Sequence, residues 1–559
     1  MKTRQKTRQE NGNLKREPLP SQQQPFKRPP AFEWPEMPKW EMRFYYLVMA
    51  GLFLYCWYVM RDVTRKYNWE NTWGSYEIVD LPYFGPTVKD VTNMEWRVWV
   101  PVCLAYIPVA AGHSLLLEVA SRTLLDTQWN VAGRLLLLTY SLLGCCYIFG
   151  ATIVAISLAS GWLIFMATRI VGSDAFGKFN DWGLIARIVY KLCVDCKMVT
   201  WLLALPSIYL ALHRPSWFGP DTFRVLLMLS YTLLSYLSYN LEYLSDKESQ
   251  SESTLEGLFD MVCYAFYMPY LTSVIVPYPS YREQWENRRL KQRDWKHIAF
   301  FGARVAFWFL FTEAILYVIH FEAIVLDIPF LRRVTLDRLC ILGMALGQFF
   351  HLKYVVIFGV PSFFAKVDGM EPRPPPICVT RVMLISKVWR GFDRGLYDFF
   401  KRYIFLPICQ PSFSAPRRVV GVFVSYGFVL VWHGFDRRHL IWIGLNIAEL
   451  FVEAISKGVY ASWPALRALR EKYISDQWFR RLIATQFWIP YAFGLYSNFY
   501  FFSGLRTGDV FVERFFWAET MRMTWCHGLI TVFGYINAMV VIEVDRQLGL
   551  REKVKAKQQ

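Results

Sequence analysis

Apolar residues in this chain gather into long blocks, and the blocks are the length of membrane crossings. A helix of about 20 apolar residues spans the hydrocarbon of a bilayer. The first block lies near 42–60, with FYYLVMAGLFLYCWYV at its centre. Others follow near 98–121, 135–168, 199–212, 224–243, 258–278 and 299–320. The 135–168 block is too long for one upright crossing and predicts two segments, or a crossing plus a re-entrant piece. The second half has blocks near 338–363, 379–408, 418–433, 440–456, 483–503 and 527–543, several of them interrupted by ionisable residues. Interrupted segments persist in a membrane only where they are buried in protein or line a wet cavity. The functional site is therefore expected in the second half.

The polar stretches between the blocks predict topology. Residues 1–40 are rich in Gln, Pro, Lys and Arg, which predicts a disordered basic tail, cytosolic by the positive-inside rule. Residues 61–96 read as a lumenal loop, and so does the acidic stretch 246–257, whose only base is Lys247. The stretch 279–298 carries Arg282, Arg288, Arg289, Lys291, Arg293 and Lys296 and reads as cytosolic, with a single crossing between these last two. Residues 459–481 form a polar connector, and 546–559 a second basic cytosolic tail. The expected organisation is thus a tail at 1–40, a membrane domain at 41–545 and a tail at 546–559. The expected fold is an all-α polytopic membrane protein with roughly ten transmembrane helices plus re-entrant segments.

Composition agrees. Of the 559 residues, 54% are hydrophobic and only 19% charged, against about 25% charged in a typical soluble domain. The excess of 62 Lys+Arg over 45 Asp+Glu gives a formal charge of +17, but the bases sit in tails and loops. That distribution suits anionic membrane lipids and excludes a nucleic-acid-binding role. The 11 cysteines are scattered through apolar blocks and do not form a disulfide framework. Cys193 and Cys196 make a lone CxxC, which reads better as two small residues near a helix than as a metal or redox pair.

Two ionisable residues in apolar surroundings stand out as chemical candidates. Asp393 lies in VWRGFDRGLYDFFKRYIFLP, residues 388–407. On a continuous helix it shares a face with Trp389, Tyr397 and Phe400, while Arg394, Asp398, Lys401 and Arg402 point elsewhere. Solvation explains the second group but not the Asp; pairing with Arg390 is the structural alternative. His433 closes VVGVFVSYGFVLVWHG, residues 419–434, where Gly434 can end a helix. A His there suits general-base work, or else a core His bonded to a carbonyl. An unexplained Asp in the preceding segment favours chemistry, because a carboxylate fixes an imidazole tautomer and stabilises its charged form.

A His and an Asp in consecutive late membrane segments resemble the membrane-bound O-acyltransferases, in the branch that acylates secreted signalling proteins. The similarity runs from Pro38 to the last span. It includes PKWEMRFYYLVMAGLFLYCWYV, DLPYFGPTVKDVTNMEW, YVVIFGVPSFFAKVDGMEPRPPPICV, WRGFDRGLYDFFKRYIFLP and FVLVWHGFD. The resemblance implies that His433 and Asp393 are catalytic, and that Trp389, Asn498 in YSNFYF and Asn446 line the acyl site. It also implies that Cys378 in PPPICV ligates the iron of a haem b. The implied reaction moves palmitoyl from palmitoyl-CoA to the N-terminal Cys of a Hedgehog-type protein, or of an EGF-like ligand, at the endoplasmic reticulum membrane. Both termini are then cytosolic, and Lys555 and Lys557 in the closing KAKQQ resemble a dilysine retrieval signal. The long basic N-terminal tail and LPICQPS at 406–412, with Cys409 in place of a Gly-rich turn, depart from the family pattern. Three alternatives stay open: another protein or a lipid as acceptor, a non-catalytic relative, which His433 argues against, and a transporter.

Overall fold

The structure is a computed structural model, and it describes residues 34–68, 74–123, 131–172, 196–246, 253–288, 290, 292–517 and 525–558. Most of the basic tail 1–40, Cys193 and residues 247–252 of the acidic stretch 246–257 lie outside the described residues.

The apolar blocks become helices. The first half contributes α1 (Lys39–Lys66), α2 (Met94–Thr123), α3 (Val131–Phe149), α4 (Ala151–Gly172), α5 (Cys196–His213) and α6 (Thr222–Tyr243). Then come α7 (Thr254–Ala265), α8 (Tyr278–Asn287), α9 (Trp295–Ile315) and α10 (Leu336–Val367). The second half adds α11 (Ile385–Gly391), α12 (Arg394–Phe400), α13 (Ala415–His433), α14 (Arg437–Ser462), α15 (Pro464–Tyr473), α16 (Asp476–Val512) and α17 (Trp525–Gln558). Among the described residues, eight helices are long and apolar enough to cross a membrane. They are α1 to α4, α9, α10, α13 and α14. The chain is a multi-pass membrane protein.

The long 135–168 block is two helices, split at Gly150, whose φ of +96° no ordinary L residue adopts readily. Three expectations need correction. The 258–278 block is not one crossing: α7 is capped by Ser253, ends at Ala265, and gives way to a 3-10 turn and extended chain up to Pro277. The 379–408 block is broken into α11, α12 and a π-helical turn at Lys401–Phe405. The loop 61–96 contains a β-hairpin, Tyr76–Leu81 (β1) with Gly85–Asp90 (β2), in antiparallel register from Tyr76↔Asp90 to Leu81↔Gly85.

α6 sits at the centre of the fold. Fifteen of its 22 residues are buried, so it faces other helices and not lipid. Around it, small residues let backbones and rings approach closely, the usual device where lipid removes the hydrophobic drive for helix pairing. A Cβ at Gly161 of α4 would meet the Tyr236 ring at 2.4 Å. One at Gly343 of α10 would meet Phe499 of α16 at 2.2 Å. The second contact packs α10 against α16, the helix that carries Asn498.

Candidate active site

Asp393 does not sit within a helix. The chain turns at Phe392–Asp393, and Asp393 caps α12: the Leu396 N–H donates to its Oδ1 at 2.8 Å. Asp is among the strongest N-caps, so the local sequence FDRG breaks the helix that a simple wheel continues. Gly395 is required here, since a Cβ would stand 2.3 Å from the Ile275 carbonyl oxygen in the extended chain after α7. The alternative of an Asp393–Arg390 pair is not formed; Arg390 bonds Ser386 instead, through its carbonyl at 2.8 Å and its hydroxyl at 2.9 Å. The second oxygen of Asp393 has no side-chain partner among the described residues.

His433 is the last residue of α13. Gly434 follows at φ +106°, closing the helix with a hydrogen bond from its N–H to the Leu430 carbonyl at 2.8 Å. This ending places the imidazole, half-buried, among aromatic rings. It stands edge-on to Trp442 with centroids 5.3 Å apart, and edge-on to Phe501 at 5.2 Å. Two further histidines close the same corner. His439 lies 5.9 Å away, ring to ring, and His213 of α5 bonds the Val431 carbonyl at 2.8 Å through Nε2.

Trp389 and Asn446 join this cluster. The Trp389 indole N–H donates to Asn446 Oδ1 at 3.1 Å, and its ring lies 5.7 Å from that of Trp442. Asn446 is fully used: its Nδ2 donates to the Trp442 carbonyl at 2.7 Å and to Ser497 Oγ at 3.1 Å. His433, Trp442, Trp389 and Asn446 therefore form one contiguous unit. No hydrogen bond or ion pair links Asp393 to His433 among the described residues. They are connected through rings: Phe392 stacks on Phe350 at 5.1 Å, Phe350 meets Phe501 at 5.6 Å, and Phe501 meets His433.

Asn498 lies beside Ser497 and lines an open cavity of about 80 Å³ between α10, α11, α14 and α16. Phe502, adjacent to the ring that touches His433, lines the same cavity. Cys378 sits at the rim, half-buried, its thiol 3.1 Å from the hydroxyl of cavity-lining Thr380 and 3.9 Å from cavity-lining Gln348 Oε1. Sequence reasoning missed Glu449 and Glu453 of α14, both buried. Glu453 accepts from the Ser386 N–H at 3.1 Å and pairs with Lys457, tying α14 to α11. The missed signal was spacing: His439, Trp442, Asn446, Glu449 and Glu453 recur every three or four residues and are all buried on one face of α14.

Residues 218–498, half of the chain, match the family described as MBOAT, membrane-bound O-acyltransferase family. The chain belongs to the membrane-bound O-acyltransferase family. It is an acyltransferase, and the transporter alternative falls away. A mouse relative, protein-cysteine N-palmitoyltransferase HHAT, is 24% identical over 522 residues, 91% of this chain and 98% of the relative. The Drosophila melanogaster protein-cysteine N-palmitoyltransferase Rasp is 29% identical over 341 residues, 58% of this chain and 66% of the relative. Membrane-bound O-acyltransferase GUP1 of Saccharomyces cerevisiae is 22% identical over 291 residues, 46% of this chain and 48% of the relative. The relatives named for protein palmitoylation imply palmitoyl-CoA as acyl donor.

Proposed function

We propose that this acyltransferase moves palmitoyl from palmitoyl-CoA to the N-terminal Cys amine of a secreted, Hedgehog-type signalling protein, in the endoplasmic reticulum membrane. The observation that carries the reading is the placement of His433: an imidazole at a helix end, walled by Trp442 and Phe501, next to the cavity that Phe502 and Asn498 line. The similarity to mouse HHAT, which spans 98% of that relative, supports the acceptor. In the reaction the amine nitrogen attacks the thioester carbonyl, the C–N bond forms, the C–S bond breaks and CoA leaves as its thiol. An α-amine has an ordinary pKa near about 7.7–8.0, so a share of it is already neutral. His433 takes the proton that the attacking nitrogen sheds. Asp393, with one oxygen spent on capping, offers the other to the incoming amine. Trp389, held by Asn446, and Asn498 border the acyl chain.

Cys378, half-buried at the rim of the cavity, is the residue that would hold a haem, and its sulfur would be the atom that binds the iron. Such a group supplies redox chemistry that acyl transfer does not use, so the steps above are independent of it. The helical backbone of α17 reaches Gln558, carrying Lys555 and Lys557 at its end. A retrieval role for them belongs to the same proposal.

The test is single-turnover transfer of labelled palmitoyl from palmitoyl-CoA to a peptide beginning with Cys. An N-acetylated peptide and a lipid acceptor run beside it. His433→Ala is expected to cost about 10²–10⁴-fold in rate while both substrates still bind. Label appearing on the lipid and never on the free-amine peptide overturns the acceptor assignment. Near-normal transfer by a folded His433→Ala protein overturns the role of His433.

A further inference from the structure

Glu449 is an acidic group at the cavity whose chemistry the proposed site does not consume. The residue is 7% exposed, and its Oε2 is buried without a hydrogen-bond partner among the described residues. Leaving a buried carboxylate oxygen unpaired is costly, so such groups demand an explanation. It lines the cavity together with three other polar side chains, Gln348, Thr380 and Asn498, in an otherwise apolar or glycine wall. Gly494, one helical turn before Asn498 on α16, makes room for the carboxyl, since a Cβ there would stand 3.2 Å from Oε2. Glu453, one turn along α14, is by contrast paired with Ser386 and Lys457.

We propose that Glu449 is a donor-binding residue whose carboxyl hydrogen-bonds an amide of the pantetheine arm of acyl-CoA, with Gln348 as a neighbouring amide partner and Asn498 at the junction with the acyl chain. The inference rests on the acyl-CoA donor reading above. An apolar cavity holding a few convergent polar groups suits a long apolar ligand with sparse polar points. The donor is of that kind: a hydrocarbon chain, a thioester, and two secondary amides further along. A carboxyl is matched to an amide N–H, and the side-chain amides of Asn498 and Gln348 can either donate or accept. The arrangement makes Glu449 a selector for donors that carry an amide near the thioester.

The experiment measures binding, with transfer kept separate. Three non-transferable thioethers are titrated into purified wild type, Glu449→Leu, Glu449→Gln and Gly494→Ala: the palmitoyl-CoA analogue, a palmitoyl N-acetylcysteamine thioether with one amide, and a palmitoyl hydroxyethyl thioether with none. Wild type should bind the amide-bearing short analogue about tenfold more tightly than the amide-free one, the scale of one hydrogen bond. Glu449→Leu should erase that preference and Glu449→Gln should keep most of it. Gly494→Ala, which crowds the carboxyl without removing it, should weaken the preference and guards against a Glu449→Leu protein that fails to fold. Equal losses for both short analogues in Glu449→Leu overturn the proposal, as does an amide preference untouched in every variant. A wild type that shows the Glu449-dependent preference yet acylates no Cys peptide refutes the acceptor assigned above and supports this inference.

Discussion

At the residue scale, a substitution series can separate the cap that Asp393 provides from the role in transfer proposed for it. Its Oδ1 caps α12, accepting from the Leu396 N–H at 2.8 Å. Asn caps a helix about as well as Asp, whereas Ala loses about 1 kcal/mol at such a position. Asp393→Asn is therefore expected to melt like wild type and to lose most transfer. Asp393→Ala should lose transfer and about 1 kcal/mol of stability as well. Thermal unfolding in detergent beside single-turnover rates gives the comparison; an Asn variant with wild-type rates would leave Asp393 a cap and nothing more. The sequence was legible at this residue because a carboxylate amid aromatic residues has no solvent to explain it. What the wheel could not show was the break at Phe392, since capping competes with helix continuation only when tertiary contacts, here Gly395 against Ile275, reward it. Glu449 and His439 are passed over for the opposite reason: each alone could face solvent, and only their spacing with Trp442, Asn446 and Glu453 marks one face of α14.

At the element scale, helices were readable from block length, whereas the hairpin was not. Its strands, YEIVDL and GPTVKD, bury little on either face and depend on docking. Asp90 supplies the dock: its N–H donates to the Leu316 carbonyl at 3.0 Å, and its Oδ2 accepts from the Ala323 N–H at 3.0 Å. His320 bonds the Val88 carbonyl at 3.0 Å, and Glu322 accepts from Asn93 at 2.9 Å. This corner lies outside the eight candidate spans, and burial acts on its titration. Desolvation raises Glu322 to about 7, opposed chiefly by Lys353, and raises Asp90; it lowers His320. For the two carboxyls the folded state holds its proton longer than the unfolded one, so their contribution is full in acid and falls as pH rises, for Glu322 until about 7. The lowered His320 acts oppositely, losing stability as pH falls through the ordinary His range. Glu322→Gln keeps an acceptor for Asn93 and removes the titration. It should match wild type near pH 5 and exceed it near pH 7.5, read as protease resistance of the hairpin. A wild type and variant with parallel pH profiles would show that Glu322 does not titrate in this window.

At the scale of the whole molecule, two arginines of α16 tie the first and last helices together: Arg481 pairs with Glu41, 440 residues away in sequence, and Arg480 with Glu543, 63 away. Arg480, fully buried, donates from Nη1 to Glu543 Oε2 at 2.9 Å and to the Pro35 carbonyl at 2.8 Å, and from Nη2 to the Met539 carbonyl at 3.1 Å. Beside it Arg481 grips Glu41 through both Nε, at 3.0 Å, and Nη2, at 2.6 Å; Glu41 also accepts from Tyr45, whose hydroxyl lies 3.2 Å from that of Tyr535. One-dimensional patterning cannot reveal such pairs, because each partner alone reads as an interfacial charge beside an apolar block. Their energetics are specific. Breaking a buried pair by removing one member strands the other charge and costs about 3–5 kcal/mol, whereas replacing both with apolar residues is often neutral. Arg480→Met should therefore lower the melting temperature sharply, blunted by the Arg546 and Gln547 contacts that Glu543 retains at 2.8 and 3.1 Å. Arg480→Met with Glu543→Met should recover much of that loss. Eighteen residues of α16, about 27 Å at 1.5 Å per residue, separate Arg480 from Asn498. The folded fraction of Arg480→Met should thus keep a wild-type KM for palmitoyl-CoA. A double variant no better than the single one would show that the backbone bonds to Pro35 and Met539, and not the ion pair, hold the termini together.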